Sequence, residues 1–269
     1  MIGINGVGKK GERLANQMFQ YAAVKGIAKN RGFTYCVPPS NFTSNAQEWE
    51  EHQLFVPFKL ETFNSLQIQW LDPKRPVLPE KQFHFDEDLF NNCPDWVSLG
   101  GFYQSEKYFL NVRDELLKDF SFTDDIENPC TEMMQDLNKP IALHVRRTDY
   151  ARYSHHPIVG LDYYEKALSY FDKDRQVVVL SDDPKWCHEQ SLFADDRFMI
   201  SESGNQYIDL CLMTKCSDFI IANSSFSWWG AWLSTSSEKQ IIAPMRWFGH
   251  PLDQQHNTKD LYCEGWMKL

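Results

Sequence analysis

The sequence predicts an α/β fold with a doubly wound parallel sheet in the second half of the chain. From residue 140 onward, short apolar segments alternate with segments of helical periodicity, which is typical of parallel strands joined by crossover helices. The segment 176–180 contains consecutive valines, as expected of a strand that is buried on both faces. The first half contains one clear βαβ unit. Residues 40–100, which are aromatic and irregular, predict long loops with short helices.

The elements of the first half are predicted from apolar spacing and from stop signals. The first helix should end before Gly32, because glycine readily terminates helices. In order, the predicted elements are a strand within 1–5, a helix over 12–28, a strand over 33–37, a strand over 97–103 and a helix over 106–120.

The second half alternates more regularly. Asp183 and Pro184 should open a helix, because proline is favoured in a first helical turn. The predicted strands cover 141–145, 176–180, 198–200, 218–222 and 240–243, and the other predicted helices cover 161–171, 207–216 and 226–233. Asp, Asn and Pro cluster at 125–139, so we predict an N-terminal domain over 1–138 and a C-terminal domain over 139–269.

Composition excludes several classes of partner and cofactor. The net charge of −10 and the pI of about 5.3 argue against nucleic acid as a partner. No apolar stretch is long enough for a membrane span, and the first 30 residues do not resemble a signal peptide. The seven cysteines form no Cys-x-x-Cys pair, so we expect reduced thiols and no structural zinc. These features predict a soluble, cytoplasmic protein without an integral membrane segment.

Polar side chains follow three of the predicted strands, and the carboxyl ends of parallel strands are where α/β sheets bind ligands. Arg146 and Arg147 follow the strand over 141–145, and their planar guanidinium groups suit a phosphate or a diphosphate. The alternative is a solvated arginine pair in ion pairs with Asp149. The two other strands are followed by the polar segments 181–183 and 223–225.

The segment 223–225 leads into a predicted helix, whose first N–H groups and positive dipole end favour phosphate. Asp209 lies on the preceding helix, and its carboxylate could accept hydrogen bonds from the N1–H and the amino group of guanine. The alternative is that Asp209 is a solvated residue on a helix surface. Together, these strand ends resemble a crevice for a nucleotide diphosphate.

Two motifs suggest phosphate or metal binding on weaker grounds. Residues 3–9 have P-loop spacing, but Lys10 stands where Ser or Thr must hold magnesium. The Asp-x-Asp segments 86–88 and 172–174 could suggest a metal site, but the second falls at a predicted helix end, where it is solvated. We therefore predict no P-loop and no metal.

Four segments resemble those of the α-1,2-fucosyltransferase family, which is related to the α-1,6- and protein O-fucosyltransferases. Residues 144–149 match its His-x-Arg-Arg-x-Asp motif, and residues 13–22 resemble its N-terminal Gly-Asn-Gln-Met-Phe-Gln-Tyr-Ala element. Residues 225–232 resemble its Ser-Phe-Ser-Trp-Trp-Gly-Ala block, and residues 181–183 match a further segment. These matches occur in the family's order across residues 13–233.

The resemblance implies the glycosyltransferase B fold of two Rossmann-like domains, with the donor GDP-fucose bound by the C-terminal domain. Arg146 would hold the β-phosphate of the donor without a metal or other cofactor, and fucose would be transferred with inversion. The acceptor implied by the family is a glycan, with galactose O2 of a β-galactoside in a surface polysaccharide as the reacting hydroxyl. The residues implied for donor binding are Asn16, His144, Arg146, Asp182, Asp209, Ser224, Ser225 and Phe226.

The base that would deprotonate the acceptor remains open at this level. Asp149, which we count with Arg146 as catalytic, either accepts the proton or orients an arginine in an ion pair. His155 and His156 lie in the following loop and are further candidates. A transition state with strong oxocarbenium character would need little help from a base.

The N-terminal element departs from the family pattern. Ala15 stands where the family usually has glycine, and residues 11–13 replace a glycine-rich turn. Because glycine permits close approach of the backbone to a ligand, this change bears on activity. Two other functions are therefore considered: a transferase for another GDP-sugar such as GDP-mannose, and a non-catalytic protein that binds a GDP-sugar or a glycan.

Overall fold

The computed structural model describes residues 1–4, 13–37, 54–60 and 75–269. These residues form two compact units, each built on a parallel sheet. Unit 1 comprises Met1–Thr123 and His256–Cys263, and unit 2 comprises Asp124–Gln255 and Glu264–Leu269. The predicted α/β class with two parallel-sheet domains is confirmed. The P-loop-like stretch and parts of 40–100 lie outside the described residues.

Unit 1 contains a four-stranded sheet in the order β2-β1-β4-β3, with every pair parallel. Helix α1, the longest one in the described ranges, follows β1 and ends at Gly32, whose φ of 68° is left-handed, as the sequence predicts. The strands are β1 (Ile2–Ile4), β2 (Tyr35–Cys36), β3 (Val77–Pro79) and β4 (Ser98–Gly100), and the helices are α1 (Leu14–Arg31), α2 (Glu87–Asn92) and α3 (Arg113–Asp119).

The helix predicted over 106–120 is interrupted. Two short 3-10 turns, Glu106–Tyr108 and Leu110–Val112, precede α3. The consecutive aromatic residues Tyr108 and Phe109 are both fully buried, and Gly26 of α1 packs directly against them. A Cβ at Gly26 would lie 2.0 Å from the carbonyl oxygen of Tyr108. Burial of these two neighbouring aromatic residues, with their backbone packed against α1, therefore takes precedence over helix continuity.

Unit 2 contains a six-stranded parallel sheet in the order β10-β9-β8-β5-β6-β7. The chain winds outward from β5 through β6 to β7 and then crosses back to β8, so that the strand order reverses between β5 and β8. The strands are β5 (Ile141–Val145), β6 (Val177–Ser181), β7 (Phe198–Ile200), β8 (Asp218–Ile220), β9 (Ile241–Ala243) and β10 (Met267–Lys268). The helices are α4 (Asp124–Met134), α5 (Leu161–Leu168), α6 (Pro184–His188), α7 (Gln206–Thr214), α8 (Ser225–Leu233) and α9 (Leu252–Gln255).

Side chains of β5 alternate between two layers of unit 2. Leu143 and Val145 belong to a buried cluster with Tyr164 of α5. On α8, Trp228 and Trp229 are fully buried, and α8 packs closely on α7 at Gly230. Since both faces of the sheet are covered, the sheet is a rigid platform from which the strand ends project.

The structure divides the chain earlier than the predicted boundary of 138/139. Helix α4 occupies most of the segment whose Asp, Asn and Pro residues suggested a linker. Ile126, Cys130 and Met134, spaced by four residues, form its buried face. The Cys130 thiol donates a hydrogen bond to the backbone carbonyl of Ile208, with 3.5 Å between sulfur and oxygen, and this bond links α4 to α7. The four-residue apolar spacing is present in the sequence, but Pro129, which lies inside the helix, argued against a helix there.

The C-terminal boundary also differs, because His256–Cys263 joins unit 1. Asp260 accepts hydrogen bonds from the Lys107 ammonium at 2.7 Å and from the backbone N–H of Phe85 at 3.2 Å.

The seven cysteines are free and six of them are buried, in agreement with the expected thiols.

Candidate active site

The candidate site lies where β5 and β8 end, at the point of reversed strand order. Leu143 pairs with Ile220 across these strands, and Val145 pairs with Ser181 of β6. The segments that follow the three strands therefore meet at one edge of the sheet. In doubly wound sheets this position binds ligands.

Arg146 is held by two carboxylates. Its Nη2 lies 2.7 Å from Oδ1 of Asp149, and its Nη1 lies 3.3 Å from Oδ2 of Asp182. The guanidinium also lies 5.5 Å from the ring centre of Tyr150. A guanidinium has more N–H donors than two ion pairs use. Arg146 is thus oriented, and it retains donors for a further anion.

Asp182 is the residue that shapes the turn after β5. Its carboxylate accepts the backbone N–H of Arg147 at 2.9 Å, the backbone N–H of Thr148 at 3.1 Å and the hydroxyl of Thr148. Together with the contact to Arg146, these bonds occupy both carboxylate oxygens. Asp182 was predicted to bind the donor, and in the structure it fixes the turn after β5 and contacts Arg146.

Arg147 points to other partners than Arg146, because adjacent side chains on an extended chain alternate in direction. Its guanidinium stacks 3.9 Å from the ring centre of Trp186, and its Nε lies 3.4 Å from Oδ2 of Asp183. Asp183 also caps α6 by accepting the N–H of Trp186. Arg147 therefore packs with α6, whereas Arg146 lies between Asp149 and Asp182.

His144 is 4% exposed and lies under the same edge. Its ring centre is 5.4 Å from that of Phe226, which places it beside the start of α8. Burial lowers the pKa of His144 to about 4, so the imidazole is neutral near pH 7. Its Nδ1 is buried and has no hydrogen-bond partner in the described part of the chain.

Helix α8 begins at this edge without a side-chain cap. Its N-cap residue, Ser224, has extended backbone angles, and its side chain makes no capping hydrogen bond. The following residues, Ser225 and Phe226, form the first turn, whose N–H groups and dipole attract an anion. The structure thus brings His144, Arg146 and the start of α8 to one edge, as the sequence predicts.

Asn223 fixes the loops around this helix start. Its side-chain amide donates to the carbonyls of Pro157 and Trp247, each at 3.0 Å, and its own carbonyl accepts the hydroxyl of Tyr150 at 2.9 Å. Sequence reasoning placed Asn223 at a strand end but did not assign it a role. The signal was a polar residue immediately after an apolar strand.

Asp209 lies in the first turn of α7. Its Oδ1 accepts the hydroxyls of Ser201 at 2.6 Å and Ser203 at 2.8 Å. Burial is the largest influence on its pKa, which is raised above the usual range despite both hydroxyls. Its Oδ2 accepts no hydrogen bond from the described residues. The carboxylate therefore has one oxygen fixed and one available.

Asn16, the predicted donor-binding residue of the first half, lies in α1 of unit 1. Its Oδ1 accepts a hydrogen bond from the Gln104 amide at 3.0 Å. Ala15 is buried in the same helix turn.

The two histidines after the arginine motif form an aromatic cluster in unit 2. The His156 ring stacks on Tyr150 with centres 4.7 Å apart, and the His155 ring lies 4.6 Å from that of His156. Burial lowers the pKa of His156, and its Nδ1 has no hydrogen-bond partner in the described ranges. Either histidine remains a candidate base.

No group of three or more His, Cys, Asp or Glu side chains in the described residues could hold a metal ion. Asp86 of the first Asp-x-Asp segment instead caps α2, where its Oδ1 accepts the N–H of Leu89 at 3.0 Å. The helices of the described ranges are too short or too polar to cross a membrane.

With this geometry established, comparison with known proteins identifies the class. The model of glycosyl transferase family 11 matches residues 2–269, so the chain belongs to that family. The O-antigen biosynthesis glycosyltransferase WbnK of Escherichia coli is 31% identical, over 79% of this chain and 74% of the relative. The α-1,2-colitosyltransferase of Escherichia coli is 28% identical, over 95% of this chain and 96% of the relative. The galactoside 2-α-L-fucosyltransferase SEC1 of Bos taurus is 25% identical, over 87% of this chain and 66% of the relative.

Solved structures agree with the fold. The fucosyltransferase NodZ from Bradyrhizobium has a TM-score of 0.57 at 11% identity, over 85% of this chain and 91% of NodZ. POFUT1 in complex with GDP has a TM-score of 0.53 at 14% identity, over 86% of this chain and 93% of POFUT1. The family resemblance and the fold of two Rossmann-like domains, the glycosyltransferase B type, are thereby confirmed.

Proposed function

We propose that this glycosyltransferase moves L-fucose from GDP-fucose to a hydroxyl of a glycan, with inversion at the anomeric carbon. The observation that carries the proposal is the placement of Arg146 at the same sheet edge as the uncapped start of α8. Both features suit a diphosphate. The relatives, which include a fucosyltransferase and a colitosyltransferase, support a 6-deoxysugar donor.

The proposed reaction breaks the bond between fucose C1 and the β-phosphate oxygen, and the electron pair leaves with GDP. Arg146 stabilises the charge that develops on this oxygen, in a position already set by Asp149 and Asp182. The N–H groups at Ser225 and Phe226 bind the diphosphate from the helix side. No metal is needed to neutralise the leaving group in this scheme.

Asp209 is proposed to recognise the guanine. Its Oδ1 is anchored by two serine hydroxyls, and its Oδ2 remains available to the base. His144 lies beside Phe226 with a neutral imidazole, so it can exchange a hydrogen bond with the nucleotide without adding charge.

The acceptor oxygen attacks C1 from the face opposite to GDP, and its proton is lost to a base or to water. The 2.7 Å ion pair with Arg146 favours the orienting role for Asp149 over the role of proton acceptor. His155 and His156 remain candidates, and weak dependence on any base is expected if the transition state is strongly oxocarbenium-like.

We further propose that the acceptor is a β-galactoside of a cytoplasmically assembled surface polysaccharide and that galactose O2 is fucosylated. The galactoside and O-antigen names of the relatives support this finer assignment. A colitosyl donor is the second candidate, because the colitosyltransferase aligns along almost the whole length of both chains. Colitose lacks only the 3-hydroxyl of fucose, so the two donors share the diphosphate and guanine contacts.

The decisive experiment incubates the protein with GDP-fucose, GDP-colitose or GDP-mannose and with a panel of β-galactosides, followed by linkage analysis of the products. We expect transfer from GDP-fucose to galactose O2. Preferential use of GDP-colitose would support the second candidate. Binding of GDP without hydrolysis or transfer from any donor would identify a non-catalytic homologue instead.

A further inference from the structure

A second polar strand edge lies in unit 1, where β3 and β4 end side by side. Glu80 follows β3, and its backbone N–H donates to the carbonyl of Gly100 at 2.7 Å, which extends the strand pairing. Its carboxylate then accepts two consecutive backbone N–H groups. Oε2 accepts from Phe102 at 2.8 Å and Oε1 accepts from Tyr103 at 3.0 Å. One side chain therefore fixes the turn after β4.

The turn over 101–104 is held in an unfavourable conformation. Tyr103 has a φ of 55°, which is uncommon for a residue other than glycine, and its side chain is fully buried. Such conformations persist only where the surroundings impose them, and they concentrate at functional sites. Gly101 is required by packing, because a Cβ there would lie 2.3 Å from Cβ and 2.6 Å from Oε2 of Glu80.

The surroundings of Glu80 disfavour the charged form of its carboxyl group. Burial raises its pKa to about 7, although both backbone N–H groups act in the opposite direction. No cation pairs with Glu80 among the described residues. A half-buried carboxylate without a cationic partner among the described residues, placed at a strained turn, is costly to the fold, so it points to a role other than stability.

The turn carries an exposed aromatic ring, and the side chains of Gln20 and Gln104, which contact or belong to the turn, are buried. Phe102 is 38% exposed, although its backbone is fixed by Glu80. Gln104 donates to Asn16, and the Gln20 amide donates to the carbonyl of Gly101 at 3.2 Å. Gln20 is 2% exposed, and its Oε1 has no hydrogen-bond partner within the described residues. Unlike the edge that carries Arg146, the contacts of this turn with other described residues include no arginine or lysine.

These groups match the chemistry of a sugar, which has an apolar C–H face and a rim of neutral hydroxyls. An aromatic ring covers the apolar face, and amides pair with hydroxyls without a need for charge. An exposed ring on a rigid turn is also a favourable anchor, because little conformational freedom is lost on binding.

We propose that the turn over 101–104 is an acceptor subsite in which Phe102 packs against the galactoside ring and Glu80 positions Phe102. This inference rests on the proposed transferase function. In these roles Phe102 determines specificity by contact, and Glu80 is a positioning residue that acts through the backbone of the turn.

The first test replaces Phe102 and uses lactose as the acceptor. Phe102→Ala should raise the KM for lactose about tenfold, equivalent to about 1.4 kcal/mol. Phe102→Tyr, which keeps the ring, should stay within about twofold of the wild type. Leu110→Ala is the matched control, because Leu110 is also an exposed apolar residue of unit 1 but is not part of the turn. Hydrolysis of GDP-fucose by water should be unchanged in all three variants.

The second test changes the Glu80 carboxylate, which fixes the turn, and leaves Phe102 in place. In Glu80→Gln, one oxygen becomes an NH₂ group that faces a backbone N–H, so the turn loses one of its two bonds. We expect a higher KM for lactose with unchanged hydrolysis of GDP-fucose, and the same result for Gly101→Ala. Glu87→Gln, at an exposed position of α2, is the control. Circular dichroism checks that each variant is folded.

An unchanged KM for lactose in folded Phe102→Ala would overturn the subsite, as would an equal loss of hydrolysis and transfer. A wild-type protein that hydrolyses GDP-fucose but ignores galactosides would overturn the subsite and leave the donor assignment intact. If GDP-fucose is not used at all, saturation-transfer NMR with methyl β-D-galactoside decides: loss of the signal in Phe102→Ala supports the subsite, and an unchanged or absent signal refutes it.

Discussion

The two parallel sheets end in edges of different chemical character. In unit 2, Arg146 and Arg147 lie among aspartates at the tips of β5 and β6, and a helix start without a side-chain cap faces the same edge. In unit 1, the tips of β3 and β4 carry one carboxylate, which is used on backbone N–H groups, together with amides and an exposed ring.

This difference shows how one type of sheet edge is adapted to two kinds of ligand. Fixed positive charge and oriented N–H groups favour a diphosphate. Amides and an aromatic ring favour a neutral, hydroxylated ligand. In both edges a carboxylate holds the turn: Asp182 binds the turn after β5, and Glu80 binds the turn after β4. The scaffolding principle is shared, and the side chains that the turn presents differ.

The largest expected effect comes from removing the two-point grip at the β5 tip. Arg146→Lys keeps the charge but loses the planar guanidinium, so turnover should fall on the order of 100- to 1000-fold, nearly as far as in Arg146→Ala. Since the contact acts on developing charge, kcat should fall more than donor affinity. Steady-state kinetics of both variants provide the measurement.

Arg147→Lys is the matched control, because Arg147 stacks on Trp186 and pairs with Asp183. Its effect on turnover should be much smaller. Near-wild-type turnover in a folded Arg146→Lys protein would contradict the proposed role of Arg146 in binding the diphosphate. Another cation would then have to bind the diphosphate at the edge of unit 2.

The next effect concerns the nucleotide base. GDP at 100 times its dissociation constant should stabilise the folded protein by about 2.7 kcal/mol, whereas UDP at the same concentration should give little thermal shift. Asp209→Asn should abolish the preference, because an amide presents a donor to the guanine N1–H or amino group.

The exposed Asp174 provides a control at which aspartate-to-asparagine replacement should leave the GDP shift unchanged. Equal shifts with GDP and UDP in the wild-type protein would exclude guanine recognition by Asp209.

The two edges should also respond oppositely to pH. Burial lowers the pKa of His144 to about 4, so the unfolded state binds more protons below about 6.5 and stability falls as the pH falls toward 4. Burial raises the pKa of Glu80 to about 7, so its contribution is largest below about 4.5 and is lost as the pH rises through 7.

Chemical denaturation between pH 4 and 8 measures both trends. In His144→Gln, the free energy of unfolding should depend less on pH between 4 and 6.5. In Glu80→Gln, it should depend less on pH between 4.5 and 7. His188→Gln, at an exposed histidine, is a control for the first variant. A His144→Gln protein with the same acid slope as the wild type would mean that His144 is not kept neutral by burial.

The sequence was most informative where local period and tertiary burial agree. The strand over 198–200 is found at the predicted positions, and the predicted helix over 226–233 differs by one residue. The polar strand ends located the edge of unit 2 because parallel strands must align their carboxyl ends. Helix α4 was missed because Pro129 outweighed a four-residue apolar period.

Other features depend on contacts that are distant in sequence. Nothing near Asp182 indicates that it binds Arg147 and Thr148, which lie about 35 residues earlier. The Glu80 carboxylate likewise accepts the backbone N–H groups of Phe102 and Tyr103, which lie 22 and 23 residues later in the chain. Such roles follow from strand pairing and not from composition, so a single sequence without a sheet topology cannot assign them.

The smallest expected effect is that of chelation. Transfer from GDP-fucose should be unchanged by EDTA, because Arg146 and the start of α8 supply the positive charge that stabilises the leaving diphosphate. The measurement is turnover before and after treatment with EDTA, with manganese or magnesium added back. Restoration of lost turnover by either ion would show that the β5 edge does not neutralise the diphosphate alone. The comparison would then change, since a cation would be needed at the edge whose arginines are already paired with aspartates.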